Sequence, residues 1–190
     1  MTTMPVAQRM TAREFLRLPE RPNGKRLELV EGEVVVSDPT MLHGEVVGDL
    51  QFALEVWARA EPRRGAVRVP ADVGIDERNV YVPDLLWYAD GHVPDRFDQP
   101  PYPLPDLAVE VRSPSTWRYD IGAKKAGYER SGLPELWLVD TRAEAVLIFR
   151  RSHPDAPTFD VALELDRESR ITSPLLAGFT LGVAELFPQT

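Results

Sequence analysis

Between Pro105 and Asp140 the sequence spells a strand, a short helix and a second strand, an order that leaves few folds open. Leu107, Val109 and Val111 alternate with Ala108, Glu110 and Arg112, the period-two pattern of a strand with one packed face. A Ser113-Pro114-Ser115 turn leads into a helical segment in which Asp120, Lys124 and Tyr128 recur every four residues and share a face. Glu135-Leu-Trp-Leu-Val-Asp140 then reads as a strand too apolar for a sheet edge. Two strands joined by a crossover helix lie parallel in one sheet. The charged groups projecting from this unit are therefore the first place to look for chemistry.

The flanking sequence predicts further elements. Thr11-Ala-Arg-Glu14 has the spacing of a capping box opening a short helix that ends at Leu18-Pro19. Residues 26–30 and 33–36 flank Glu31-Gly32 as a tight hairpin, with Glu28 pointing away from Leu27 and Leu29. From about Thr40 to Glu61, Val46, Val47, Leu50, Leu54, Trp57 and Ala58 recur at helical spacing, and Pro62 closes the helix. Residues 67–75 read as one strand or a broken pair, and Tyr81–Tyr88 as another strand. In that strand Pro83, lacking an amide donor, must sit at an edge, end or bulge. The proline-rich stretch 91–105 reads as a loop near the site. Residues 145–150 and 158–163 read as a hairpin that continues the sheet, and 171–187 as irregular structure with a final short helix.

A chain of 190 residues suits one domain, 1–190, with a sizeable core. It has no cysteine, which excludes disulfides and thiolate metal sites and points to an intracellular home. No apolar run approaches the roughly 20 residues of a membrane helix, and the first ten residues lack a secretory core; a soluble, cytoplasmic protein is expected. The formal net charge of -8 argues against a protein that coats nucleic acid through a basic face. An enzyme whose acidic site recruits divalent cations remains open.

Two Pro-Asp pairs, Pro83-Asp84 and Pro105-Asp106, offer carboxylates to partner Glu110. Asp106 and Glu110 share a face of one strand but stand ~13 Å apart at about 3.3 Å per residue, too far for one ion whose ligands lie at about 2–2.6 Å. Asp84 can lie beside Glu110 if their strands are neighbours, where side chains come within about 5 Å. Asp84 and Glu110 are thus the expected metal pair, and oxygen-only ligands select Mg²⁺ or Mn²⁺. A metal there would polarise a phosphoryl oxygen and lower the pKa of its bound water. Lys124 and Arg112 both qualify by position to stabilise transition-state charge. Arginine cannot act as a base, so Lys124 takes the active role and Arg112 that of a phosphate or carboxylate clamp.

These residues stand in a sequence that resembles a known family. Residues 26–35, 82–86, 107–116, 119–128, 132–140 and 172–179 all match its motifs, in order and across nearly the whole chain. The family is the Uma-two group of restriction-endonuclease-like proteins, a branch of the PD-(D/E)xK nuclease superfamily, most of whose members have no assigned substrate. The resemblance implies a fold of the α/β (α+β) class: a mixed central sheet flanked by helices, with an N-terminal hairpin. It also implies metal-dependent hydrolysis of nucleic-acid phosphodiester bonds, DNA first among them. Asp84 falls on the family's PD aspartate, Glu110 on its second acidic position, and Lys124 on a lysine moved from the strand to the next helix. Glu28 and His43 fall on accessory positions. The departure from the superfamily pattern is Arg112, which stands where the usual motif has lysine.

Each residue also has a quieter explanation: Asp84 as a turn cap, Glu110 and Arg112 as an exposed ion-pair face, Lys124 as a solvated helix position, His43 as a cap. Trp87, Tyr88, Trp117 and Trp137 read as core rather than as base-stacking platforms. The leading expectation is a Mg-dependent endodeoxyribonuclease, as a homodimer if both strands are cut. A non-catalytic binding or assembly module that keeps the fold is the alternative, and metal-free acid–base hydrolysis by Asp84 and Glu110 a third.

Overall fold

A computed structural model describes residues 9–18 and 26–187. The readings of the first residues as free of a secretory core, and of Pro19 as a helix stop, fall outside them. The first helix, α1 (Ala12–Phe15), is held by the expected capping box. The Thr11 hydroxyl accepts from the Glu14 amide at 3.3 Å, and the Glu14 carboxylate accepts from the Thr11 amide at 2.8 Å. Strands β1 (Arg26–Val30) and β2 (Glu33–Ser37) pair antiparallel around Glu31 and Gly32, whose φ values of 51° and 80° are those of a two-residue primed turn. The long helix α2 (Met41–Ala60) follows, capped by Thr40, whose hydroxyl accepts from the His43 amide at 3.2 Å.

The next stretch departs from the reading of the sequence. Of the two readings of 67–75 the broken pair holds, as β3 (Ala66–Arg68) and β4 (Val73–Asp76), but the two belong to different sheets. Tyr81–Tyr88 is not one strand but two, β5 (Asn79–Tyr81) and β6 (Leu85–Tyr88), again in different sheets. Pro83 is the physical reason. It cannot donate to a ladder, so pairing lapses there and the chain crosses between sheets. The amides on either side are still satisfied: Val82 donates to Glu28 Oε1 at 2.7 Å and Asp84 to the Val109 carbonyl at 2.9 Å.

Beyond the 89–106 loop comes β7 (Leu107–Val111). The crossover consists of α3 (Trp117–Tyr119), a π-turn (Asp120–Lys124) and α4 (Lys125–Arg130), and leads to β8 (Glu135–Asp140), parallel to β7 as expected. Strands β9 (Ala145–Arg150) and β10 (Val161–Leu165) extend the sheet as a hairpin. The tail forms a small pair, β11 (Arg170–Ile171) with β12 (Leu181–Gly182), and a 3₁₀ turn over Val183–Leu186.

The main sheet therefore runs β10-β9-β8-β7-β6-β3, mixed because β7–β8 alone is parallel. The smaller sheet runs β2-β1-β5-β4. Alternation sorts the side chains of the main sheet. Trp87, Leu107, Val109, Val111 and Trp137 pack with Leu50, Leu54 and Trp57 of α2, while Ala108, Leu136 and Leu138 pack with Tyr81 and Tyr128 on the other face. Tyr81 and Tyr128 meet edge to face, centroids 5.0 Å apart.

Gly127 makes this contact possible. A Cβ there would sit 2.2 Å from the hydroxyl oxygen of the fully buried Tyr81. Gly127→Ala is expected to lower stability by about 1–3 kcal/mol through overpacking, read as a reduced urea midpoint at unchanged slope.

Candidate active site

Three chain segments converge on the Lys124 ammonium. Its Nζ lies 2.8 Å from Glu28 Oε1, 2.8 Å from Glu110 Oε1 and 2.9 Å from Asp120 Oδ1, and the side chain is 1% exposed. The Asp120 contact is an ion pair without hydrogen-bond geometry, and Asp120 Oδ2 accepts instead from the Thr116 hydroxyl at 3.2 Å. The Tyr128 hydroxyl donates to Glu110 Oε1 at 2.7 Å. Asp120, Lys124 and Tyr128 thus share one face, as their spacing predicts. In a regular α-helix two steps of four residues drift by about 80°. The π-turn between Asp120 and Lys124 widens the first step and takes up that drift.

Asp84 lies one position before β6, the neighbour of β7, and is tied to that strand beside Glu110: its amide donates to the Val109 carbonyl at 2.9 Å. Both of its oxygens are used. Oδ2 accepts from the Val111 amide at 2.7 Å and faces His43 Nε2 at 3.1 Å; Oδ1 pairs with Arg26 Nη1. Arg26 and Glu28 alternate onto the same face of β1, so a single strand supplies a cation to Asp84 and an anion to Lys124. Arg26 is the solvent side of the cluster, its side chain 26% exposed against 3% for Asp84.

The electrostatics follow from three carboxylates sharing one ammonium in a dry place. Burial pushes the Glu110 carboxyl well above the usual carboxylate range. Asp120, Glu28 and Asp84 add to that, and Lys124 offsets only part of it. Burial also raises Glu28, again opposed by Lys124. Burial alone would drive Lys124 down, but Asp120, Glu110 and Glu28 outweigh it and hold the ammonium well above its ordinary range. For Asp84, burial is outweighed by His43, Arg26 and the Val111 amide, so its carboxyl lies below the usual value. Burial and the Glu110 and Glu28 charges push the Tyr128 phenol well up, leaving it a neutral donor.

Asp84, Glu110, Lys124, Glu28 and His43 are therefore brought together. Arg112 is not. It leaves the end of β7 toward Asp140, with Nη1 2.9 Å from that carboxylate and the guanidinium 5.3 Å from the Trp117 ring centroid. Its own ion pair engages the charge that a clamp would offer. Asp106 stands apart too, accepting from the Ala89 amide at 2.7 Å and facing His92 Nδ1 at 2.9 Å. The 89–106 loop leaves β6 at the end away from Asp84, ~13 Å along the strand at about 3.3 Å per residue; the expectation that it lies near the site needs that correction. Sequence reading missed Arg26 as the partner of Asp84. Its parity with Glu28 on β1 was the available signal.

Among the described residues no group of three or more His, Cys, Asp or Glu side chains is disposed as a metal shell. The donor chemistry nonetheless fits a hard cation. Mg²⁺ keeps several waters and takes only one or two protein carboxylates. Asp84 and Glu110 are two carboxylates held close by the Asp84 bond to the Val111 amide, and the Asp84 charge is among those that raise the Glu110 carboxyl, a repulsion that a cation between them would relieve.

A mixed sheet with α2 on one face, and with acidic groups and a lysine gathered where β1, β6, β7 and the crossover meet, defines a nuclease-fold protein. The chain superposes on a crystal structure from Anabaena variabilis ATCC 29413, described as a "putative nuclease belonging to DUF820". The TM-score is 0.75 and the identity 18%, over 94% of this chain and 97% of that one. Residues 12–184 match the Uma2 family, described as "Putative restriction endonuclease", and the chain belongs to that family. Among curated proteins none matches the chain. No helix among the described residues is long and apolar enough to cross a membrane.

Proposed function

We propose that the protein is a divalent-metal-dependent endonuclease that hydrolyses phosphodiester bonds of nucleic acid, with DNA the substrate and a homodimer the form that cuts both strands. The carrying observation is that the Asp84 carboxylate accepts from the amide of Val111, the residue after Glu110, with Lys124 in contact with Glu110. Asp84 and Glu110 would hold Mg²⁺ or Mn²⁺. When bound, such an ion supplies Lewis-acid polarisation of a phosphoryl oxygen and a more acidic water. Lys124 stays protonated, so its part is positive charge set against the anionic transition state and not proton abstraction. Glu28 and Asp120 hold that ammonium in place, and Tyr128 fixes the Glu110 carboxyl. Arg26, on the solvent side, is the group an incoming phosphate meets first.

Supercoiled plasmid incubated with protein and Mn²⁺ is expected to be nicked and linearised, and EDTA to stop it. Unchanged plasmid in Mg²⁺ and Mn²⁺, with single-stranded DNA and RNA also untouched, would remove this reading.

One observation favours a second reading, a module that keeps the fold without catalysis: Lys124 is already enclosed by three carboxylates at 2.8–2.9 Å. Calorimetric titration with Mn²⁺ separates the two. Heat that vanishes in Asp84→Asn supports the enzyme, and a silent wild type supports the module.

A further inference from the structure

A cavity of about 280 Å³ opens on the main sheet away from the Lys124 cluster, with Arg68, Leu86, Tyr88, Phe97 and Tyr102 in its wall. Its floor belongs to the catalytic face. Arg68 pairs with Leu86 across β3–β6, so both point to the same side. Leu86 and Tyr88 alternate to that side along β6, the strand that begins directly after Asp84. Leu86 and Tyr88 thus stand two and four residues from Asp84, ~7 and ~13 Å at about 3.3 Å per residue. That span corresponds to about two to four steps of a nucleic-acid strand at roughly 3.4 Å per step.

The lining is chemically unusual for a surface hollow. Among the described residues Arg68 makes no ion pair; its hydrogen bond is from Nη1 to the Val67 carbonyl at 2.8 Å, and the guanidinium lies 5.1 Å from the Phe97 ring centroid. Phe97 is 59% exposed, yet its backbone is not loose, because the Tyr102 hydroxyl donates to its carbonyl. The Tyr88 hydroxyl donates to the Pro103 carbonyl at 2.8 Å, so the ring beneath is fixed as well. An exposed phenyl on a tethered backbone, beside a guanidinium with free donors, is a combination that stacks on a flat ring and reads its edge.

We propose that this cavity takes one unstacked nucleobase of the substrate strand, with a preference for guanine. The ring lies against Phe97, and Arg68 donates to the paired O6 and N7 acceptors that guanine alone presents. The inference deepens the nuclease reading and rests on it for the identity of the ligand's source. Sequence preference would then arise from the 68–71 and 94–102 segments, well removed from the hydrolytic carboxylates.

The test uses the full chain in EDTA, so that binding is scored without metal or cleavage. Deoxyguanosine monophosphate is expected to bind more tightly than deoxythymidine monophosphate, and inorganic phosphate not to compete. Arg68→Ala and Phe97→Ala should each weaken guanine-nucleotide binding about 10-fold, as loss of a bidentate base contact or a stacking partner does, with thermal melts confirming both fold. Equal binding by wild type and variants, or phosphate competing as well as the nucleotide, overturns the proposal. A second arm follows cleavage of a single-stranded oligonucleotide in Mn²⁺. If the wild type cuts and Arg68→Ala cuts the same positions at the same rates, the base pocket falls and the nuclease stands. If nothing cuts but Arg68→Ala still loses the nucleotide, the pocket stands and the nuclease reading falls.

Discussion

Lys124→Met is expected to cost about 3–5 kcal/mol of folding stability, the usual penalty for removing one partner of a buried ion pair. Methionine fills the space but leaves Glu28, Glu110 and Asp120 facing one another without the cation they share. The loss should depend on pH, with a definite sign. Glu110 already has a folded-state pKa above its unfolded value, and removing the ammonium raises it further. Between the unfolded and folded values the native state binds more protons, so its stability rises as pH falls. Lys124→Met should therefore be least stable at neutral to alkaline pH and recover toward pH ~4.5, near the ordinary glutamate value. Urea melts across that range measure it. Adding Glu110→Gln to the variant should return part of the loss at neutral pH, because one of the stranded charges is gone. A loss independent of pH would mean that packing, and not charge, holds this centre together.

Asp84→Asn is expected to do the opposite, leaving the fold nearly intact and cleavage abolished. Asparagine retains an oxygen for the Val111 amide, and Arg26 is exposed enough to find water. The stability change should stay near 1 kcal/mol, the worth of an ordinary hydrogen bond. Activity in Mn²⁺ should fall by at least about 100-fold, the scale seen when one preorganised electrostatic element of a site is removed. The Mn²⁺ binding heat should vanish with it. Undiminished cutting by Asp84→Asn would take Asp84 out of the machinery and leave Glu110 without its partner.

The two variants probe parts of the site that differed in how openly the sequence displayed them. The parallel β7–β8 pair, the Thr11 capping box, the Glu31-Gly32 hairpin and α2 are carried by local spacing, and local spacing is what a sequence displays. The adjacency of Asp84 and Glu110 required only that two strands be neighbours. The division of Tyr81–Tyr88 between two sheets was announced by Pro83, but a missing donor says that pairing stops and not where the chain goes next. Arg112 illustrates a further limit. The alternation carries the expected strand through Arg112, yet β7 ends at Val111 and the guanidinium answers Asp140, a residue 28 positions away that no periodicity connects to it. Arg26 was passed over for a similar reason, since its partner lies 58 positions along the chain.

The widened turn at Asp120–Lys124 carries a consequence for how this architecture tolerates change. Closing it by one residue would advance everything downstream by about 100°, the increment of a regular helix. Tyr128 would swing off Glu110, or Asp120 off the ammonium, and no choice of side chain could bring both back. Between Thr116 and Tyr128 the chain is thus bound by its length as well as by its spelling: a substitution removes one contact at a time, while a single deleted codon would dismantle the centre.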